Sequence, residues 1–301
     1  MKIGYPCINY SIGKKTVSTF RLSSYSEEKL IQSINYNLAT LVEILKFNIA
    51  NNFMFFRISS DVIPFASHPI CKFDWKEYFK SELIKIGQLI KHNNIRISMH
   101  PDQFVIINAK SQDIVNKSIR ELEYHADLLD LMGLDYSSKV QIHIGGVYGD
   151  KERSKIQFIS NYKTLISENI KKRLVIENDD HLYNLKDCIE IHDYTEIPVL
   201  FDVLHHLCFD NILPLDIALQ ISNNTWNRNK DGVMMIDYSD QELNQRKGKH
   251  SHTLDIKQFK KFIILVSNMD LDIMLEIKDK EKSAKKAIEV INKINNGNQR
   301  Q

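Results

Sequence analysis

Two spacings of hydrophobic residues alternate along the whole chain, and this alternation predicts strands that are followed by helices. Short apolar runs, such as residues 53–58 and 199–203, are typical of buried strands. Longer segments between them carry apolar residues three or four positions apart, as at Leu30, Ile34 and Leu38, which indicates amphipathic helices. The pattern therefore predicts an α/β protein.

Eight strands are predicted, at residues 3–5, 53–58, 95–99, 139–144, 173–176, 199–203, 232–236 and 272–277. The helical segments that follow them lie at residues 26–45, 74–93, 111–133, 151–170, 184–193, 215–221, 255–267 and 281–294. Strict alternation implies a parallel sheet, and eight such units usually close into a barrel. We predict a single (β/α)8 (TIM) barrel over residues 1–294 and a frayed tail over 295–301. In the alternative, a doubly wound open sheet, the strand ends would not converge.

The composition limits the class of protein but does not indicate a function. The chain has 301 residues, a formal net charge of +2 and 43% hydrophobic residues, as expected for a globular protein. This charge is below that of many nucleic-acid binders. However, divalent cations would offset the acids that bind them, so the formal charge understates the attraction of such a site for phosphate. Charge alone therefore neither supports nor excludes binding of DNA. The four cysteines form no CxxC pair, which argues against a zinc ribbon. Without a signal peptide or membrane helix in the sequence, we expect a cytoplasmic, prokaryotic protein that does not bind membranes.

Five of the strand-like runs end in a residue type that binds metals, namely His100, His143, Glu177, Asp202 and Glu276. In a TIM barrel the carboxyl ends of the strands form one ring around the mouth. The ring would gather the candidate ligands His68, His100, His143, Glu177, Asp202, His205, Asp237, His250 and Glu276. That is more than one ion can use, and mixed nitrogen and oxygen donors suit manganese, zinc, iron or magnesium. We expect two or three divalent ions, with manganese as the first candidate and magnesium, zinc or cobalt as the others.

Each candidate also has a purely structural interpretation. A single histidine at a strand end is more often a hydrogen-bonded packing residue, and a glutamate can form a salt bridge. Glu177 and Glu276 close buried strands, where a carboxylate must be paired or bound. The hypothesis of a metal centre therefore depends on the coincidence of all the strand ends.

The residues at these strand ends resemble the UV damage endonucleases. The matching blocks are Arg57-Ile58-Ser59-Ser60-Asp61 with His68-Pro69, His100-Pro101-Asp102-Gln103-Phe104, His143-Ile144-Gly145-Gly146 with Gly149-Asp150-Lys151, Glu177-Asn178-Asp179, Asp202 with His205-His206, and Glu276-Ile277-Lys278. The resemblance runs from about Tyr5 to Lys280. It implies a barrel related to endonuclease IV and the sugar isomerases, and incision of DNA immediately 5′ to a cyclobutane pyrimidine dimer or 6-4 photoproduct. The expected substrate is double-stranded DNA that carries UV lesions, and we expect a monomer.

The resemblance also implies roles for single residues. The metal ligands of the family fall on His68, His100, His143, Glu177, Asp202, His205, His250 and Glu276. The pair that is inserted into the duplex falls on Gln103 and Phe104, and residues lining the pocket for the damaged nucleotides fall on Tyr5 and Asn9. Asn178 and Lys151 are further candidate DNA contacts. The alternative for Phe104 is a core residue of the apolar run 104–107.

The chain departs from the family pattern in the seventh strand and at Phe104, and one loop aligns ambiguously. The seventh strand has Met235 where the family has a lysine, and Asp237 where it has a histidine, so either one metal position is altered or Asp237 supplies an oxygen. Phe104 stands where tyrosine is common. In the loop after the seventh strand, His252 is an alternative to His250 as the ligand.

The predicted reaction is metal-assisted hydrolysis of a phosphodiester bond, with Glu177, Glu276, His143 and Asp202 as catalytic candidates. An abasic-site endonuclease like endonuclease IV is the closest alternative. A metal-dependent sugar isomerase would need a closed pocket and has no use for an exposed Gln103-Phe104 pair. A lesion-binding protein with a decayed metal site would bind irradiated DNA without cutting it.

Overall fold

Eight parallel strands form a closed barrel in the order β1 to β8. The computed structural model describes residues 1–13, 17–209 and 213–298. Within these residues the strands are β1 Ile3–Pro6, β2 Phe55–Ile58, β3 Arg96–Met99, β4 Lys139–His143, β5 Leu174–Glu177, β6 Val199–Asp202, β7 Met234–Tyr238 and β8 Leu271–Leu275. Each strand pairs in parallel with its neighbour in the chain, and β1 closes the ring on β8. The predicted TIM barrel is confirmed.

The connections between the strands are mainly helical. The α-helices of the described residues are α1 Glu27–Ala50, α2 Trp75–Tyr78, α3 Lys80–His92, α4 Gln112–Leu131, α5 Lys151–Leu165, α6 Glu168–Lys171, α7 Leu185–Thr195, α8 Val203–Cys208, α9 Leu215–Asn223, α10 Arg228–Asp231, α11 Ile256–Leu265 and α12 Glu281–Asn298. Short 3-10 helices lie at Leu22–Ser24 and Ser60–Val62. In this part of the chain, no helix is long and apolar enough to cross a lipid bilayer.

The structure differs from the predicted elements at several boundaries. The helix expected at 74–93 is divided at Phe79, and the helix expected at 151–170 is divided at Ile166, whose backbone is extended. β7 begins two residues later than predicted because Gly232, with a φ of 78°, ends α10 immediately before it. α12 continues to Asn298, so residues 295–298 of the predicted tail are helical, while residues 299–301 lie outside the described residues.

The amino ends of the strands form the floor of the barrel, where two buried ion pairs lie. Arg96, the first residue of β3, is 2.9 Å from Asp272, and Lys139, the first residue of β4, is 2.6 Å from Asp231. Residues at this end of a TIM barrel generally contribute to stability, whereas those at the carboxyl ends carry function. The charges of the floor are thus separated from those of the mouth by the apolar interior of the barrel.

Candidate metal centre

Glu177 is the centre of the cluster at the mouth. It is the last residue of β5 and its side chain is 1% exposed. Its Oε2 atom lies 3.5 Å from Nε2 of His100 and 3.7 Å from Nε2 of His143, while Oε1 lies 3.3 Å from Nδ1 of His205. The two oxygens of one carboxylate therefore face different imidazoles, as is required of a ligand that spans two ions.

Asp202 and His205 form the second part of the cluster. Asp202 ends β6 and is also the N-cap of α8, where it accepts a hydrogen bond from the backbone N–H of His205 over 2.6 Å. This brings the ring of His205 to 3.8 Å from Asp202 Oδ2. The sequence pattern did not predict α8, because its six residues are too few to show a helical spacing of apolar residues.

Asn178 holds Asp202 in place. Its side-chain amide donates to the carbonyl of Asp202 and accepts from the N–H of Asp202, each over 3.0 Å. The carbonyl of Asn178 also lies 3.0 Å from Nδ1 of His205. In this structure the buried amide of Asn178 is bonded on both sides by backbone, and its contact with DNA stays a prediction.

Two residues that the sequence analysis left without a role lie at the base of the site. Arg57, on β2, donates from Nη2 to both oxygens of Asp237 over 2.8 Å and from Nη1 to Glu276. Gln141, on β4, accepts from Arg57 over 2.7 Å and donates to Asp237 over 2.7 Å and to Glu177 over 2.9 Å. The amide of Gln141 thus links the guanidinium to two carboxylates.

A signal for both residues was present in the sequence. Arg57 interrupts the apolar run Phe55–Ile58, and Gln141 interrupts the run of β4. A polar side chain inside a buried strand needs a partner in the interior, and here the partners are the acids of the mouth.

His250, and not His252, belongs to the site. Nδ1 of His250 lies 2.7 Å from the carbonyl oxygen of Glu276 and 3.6 Å from its Oε2 atom. Its ring centroid is 6.0 Å from that of His205. His252 is exposed, and its backbone N–H is bonded to Glu242. The structure thus places His250 beside the other candidate ligands.

Burial and mutual contacts shift the pKa values of this cluster. Burial opposes ionisation of Glu177, but the surrounding imidazoles outweigh it and hold its pKa well below the usual range. Burial disfavours the charged form of His205, yet Asp202 and Glu177 raise its pKa to about 11. Burial raises the pKa of Asp202 to about 6 and lowers that of His100 to about 4. A proton on His205 offsets acidic charge here, and divalent cations can replace that proton.

The donor set fits divalent metal ions. The ligand atoms of His100, His143 and Glu177 lie within 4.8 Å of one another, and so do those of Glu177, Asp202 and His205. Among the described residues, Asp202 Oδ2 is buried without a hydrogen-bond partner. A buried carboxylate oxygen without a donor is costly unless a cation binds it. The predicted convergence of strand ends is therefore present in a form that could hold metal.

His68 does not join this cluster. It is exposed in the loop after β2, and no group of candidate ligands within the described parts of the chain includes it. Instead it lines a separate cavity of about 420 Å³ together with Asp102, Phe104 and Glu121. In this structure His68 is therefore apart from the other candidate ligands, and its role as a metal ligand stays a prediction.

The loop after β3 carries the candidate wedge beside the metal centre. Gln103 and Phe104 are exposed, and Phe104 is 74% exposed, so its interpretation as a core residue is wrong. His100 and Gln103 line a cleft of about 920 Å³ that also contains His143 and Arg246. The mouth thus combines candidate metal ligands, the positively charged side chain of Arg246 and the exposed ring of Phe104.

Three other candidate DNA contacts are engaged within the protein. Tyr5 and Asn9 are fully buried, and Asn9 donates to the hydroxyl of Tyr5 over 2.7 Å. The Tyr5 hydroxyl donates in turn to Asn48. Lys151 donates to Asp187 over 2.9 Å. In this structure Tyr5 and Asn9 are therefore closed off from solvent and the charge of Lys151 is paired, and their contacts with the damaged nucleotides stay predictions.

Comparison with known families decides the relationship of this chain. The model of the family "UV-endonuclease UvdE" matches residues 1–299. The chain belongs to the UV-endonuclease UvdE family. This confirms the resemblance seen in the sequence and, at the level of the family, the prediction of an endonuclease.

Individual relatives agree with the family. A UV DNA damage endonuclease of Clostridium perfringens is 42% identical over 296 residues, which cover 98% of this chain and 72% of that protein. The crystal structure of SacUVDE superposes with a TM-score of 0.92 at 46% identity and covers 98% of this chain and 99% of that one. Endonuclease IV from Thermus thermophilus shares the fold, with a TM-score of 0.59 at 15% identity and coverage of 84% and 93%.

Proposed function

We propose that this protein is an endonuclease that cuts double-stranded DNA immediately 5′ to cyclobutane pyrimidine dimers and 6-4 photoproducts. The chain belongs to the UV-endonuclease UvdE family, and its 42% identical relative from Clostridium perfringens is a UV DNA damage endonuclease. The observation that supports the proposal best is the convergence of imidazoles and carboxylates around Glu177, directly beside the exposed Gln103 and Phe104.

The proposal includes a centre of divalent ions, with manganese as the first candidate. His100, His143, Glu177, Asp202 and His205 would hold them, and Glu276 and His250 complete the rim. When bound, such ions polarise the scissile phosphodiester and lower the pKa of a water molecule, so that hydroxide is available near neutral pH.

The protein itself contributes fixed geometry and charge. Glu177 offers one oxygen to each side of the cluster, and Asn178 fixes Asp202 so that its free oxygen stays in the site. Because hydrogen bonds within the protein hold these ligands before the substrate arrives, little reorganisation is needed when a phosphate enters.

Positive charge near the cleft supports binding of a phosphate backbone. Arg246 and Lys247 line the larger cleft, and Lys249, Lys278 and Lys280 line the adjoining groove near Glu276. Lysine and arginine contacts to phosphates release counterions, so binding of DNA should weaken as salt is raised.

In this proposal the exposed pair in the loop after β3, Gln103 and Phe104, recognises the lesion. Damaged bases stack poorly and can be extruded at a lower cost than normal ones. Phe104 and Gln103 line the same groove as His100, where their ring and amide could fill the space left in the duplex. An open cleft with this wedge suits a duplex better than the closed pocket that a sugar isomerase requires.

The test is incubation of UV-irradiated and untreated plasmid with the purified protein and Mn²⁺, with and without a chelator. We expect relaxation of the irradiated plasmid alone, and loss of this activity with the chelator and in Glu177→Gln. An exposed acid on α4, changed in Glu123→Gln, is the matched control and should leave nicking unchanged. Equal cutting of both plasmids, or of neither, would contradict the proposal. A preference for an abasic duplex over a thymine-dimer duplex would favour the endonuclease IV-like alternative.

A further inference from the structure

Asp237 is surrounded by donors from the protein. Its carboxylate is fully buried, both oxygens lie 2.8 Å from Nη2 of Arg57, and Oδ2 also lies 2.7 Å from Nε2 of Gln141. By contrast, Oδ2 of Asp202 is buried and lacks a hydrogen-bond partner in the described part of the chain. The two aspartates lie on neighbouring strands but differ. Both oxygens of Asp237 accept hydrogen bonds from the protein, whereas Oδ2 of Asp202 is available to a cation.

The guanidinium of Arg57 lies where a further ion would have to bind. Asp202, Asp237 and Glu276 bring their carboxylate oxygens within 4.8 Å of one another, a spacing that could hold a metal. However, Arg57 donates to both Asp237 and Glu276. An arginine keeps its charge at any ordinary pH, so a dication held by the same oxygens would face a cation within bonding distance of its own ligands.

Met235 and Gln141, which lie beside Asp237, supply no further ligand for an ion. Alternate residues of a strand point to the same side, so Met235 lies on the same side of β7 as Asp237. Met235 is fully buried and has only a thioether, which is a poor ligand for manganese or magnesium. Gln141 uses its amide nitrogen for Asp237 and Glu177 and its oxygen for Arg57.

We infer that Arg57 replaces a metal ion between Asp237 and Glu276, so that the centre holds two ions, both on Glu177, and Asp237 positions Arg57 instead of binding metal. One ion would use His100 and His143, and the other Asp202 and His205. This inference rests on the proposed metal centre and specifies its composition. It also identifies Arg57 as a fixed positive charge that no chelator can remove.

The first test counts metal ions bound to the full-length protein. The protein is stripped with a chelator, reloaded with Mn²⁺, desalted and measured by mass spectrometry of the metal, and free Mn²⁺ is followed by electron paramagnetic resonance during titration. We expect two ions per chain in the wild type and in Asp237→Asn, which can still accept from Arg57. Glu177→Gln should bind fewer than two. Three ions in the wild type, or loss of an ion in Asp237→Asn, would overturn the inference.

The second test removes the positive charge of Arg57, which competes with a metal ion for Asp237 and Glu276. Arg57→Ala leaves Asp237 and Glu276 without their cation, so we expect the stoichiometry to rise from two to three. The double variant Arg57→Ala with Asp237→Ala should return to two. An unchanged count in a folded Arg57→Ala would overturn the inference, and if that variant does not fold, the Asp237→Asn result decides. A wild type that binds no Mn²⁺ would instead contradict the proposed function.

Discussion

The side-chain amide of Gln141 donates a hydrogen bond to Oε2 of Glu177 over 2.9 Å, from the base of the barrel mouth to its centre. The same amide also contacts Arg57 and Asp237. Gln141 is thus the only described residue bonded to all three, and the candidate ligand Glu177 is connected through it to the buried ion pair beneath.

This connection predicts the effect of replacing Gln141. In Gln141→Met, Glu177 and Asp237 each lose a donor in a buried position, and an unsatisfied buried group costs about 1–3 kcal/mol. We expect a fall of that size in the free energy of unfolding, measured by urea denaturation with a chelator present. The same substitution at the exposed Gln157 is the control and should stay within about 0.5 kcal/mol of wild type. Equal stability of both variants would contradict the role of Gln141.

The two histidines of the loop after β7 should behave differently. His250 lies beside Glu276, whereas His252 is exposed and contacts Glu242 only through its backbone N–H. We expect His250→Ala to weaken Mn²⁺ binding by about tenfold or more, and His252→Ala to leave it unchanged. Calorimetric titration with Mn²⁺ measures both. A loss of affinity in His252→Ala alone would reverse the assignment.

Replacing Phe104 should weaken the recognition of damaged DNA without changing the binding of metal. Stacking of a base on an aromatic ring contributes about 1–3 kcal/mol, so Phe104→Ala should bind a thymine-dimer duplex about 5- to 150-fold more weakly. The bound Mn²⁺ should not change. Tyr194, which is 64% exposed at the end of α7, provides the control Tyr194→Ala. If Phe104→Ala and Tyr194→Ala bind the damaged duplex equally well, Phe104 is not the wedge.

The burial of His125 predicts that the folded protein loses stability in acid. It is fully buried on α4, with Nε2 3.0 Å from Ser60 Oγ and Nδ1 2.7 Å from the carbonyl of Glu121, and burial lowers its pKa from 6.5 to about 4. Above pH 6.5 the ring is neutral in both the folded and the unfolded chain, so its contribution is fully present. As pH falls from 6.5 to 4, only the unfolded chain takes up the proton, and stability is lost.

The size of this loss can be measured by comparison with His125→Gln. Each pKa unit corresponds to about 1.4 kcal/mol, which gives a loss of about 3 kcal/mol by pH 4. Urea denaturation between pH 8 and 4.5 should show a steeper decline of the unfolding free energy in the wild type than in the variant. Parallel curves would show that His125 is not the group responsible.

The sequence could place the candidate ligands of the mouth because strand ends are local features. The apolar run before each of His143, Glu177 and Asp202 gives its position in the barrel, and closure of the barrel then determines which residues meet. The position of His68 could not be predicted in the same way, because the long loop that carries it has no periodicity from which its direction follows.

The internal partners of two candidate DNA contacts could not be predicted for a different reason. Asn178 and Tyr5 were expected at the DNA surface, but their polar atoms are used inside the protein by partners distant in sequence, the backbone of Asp202 and the side chain of Asn48. A polar residue next to a strand end looks the same in sequence whether it binds a ligand or supports one. Arg57 and Gln141 illustrate the converse, because their interruption of apolar strands was visible while their partners were not.

The ion pairs on the floor of the barrel offer a separate route to engineering this protein. Arg96 with Asp272 and Lys139 with Asp231 lie at the opposite end from Glu177, and none of the four residues contacts a candidate ligand in the described structure. Replacing such a buried pair by well-packed apolar residues is often neutral or stabilising. Thermal resistance could therefore be adjusted at one pole of the molecule while the chemistry at the other pole is left intact.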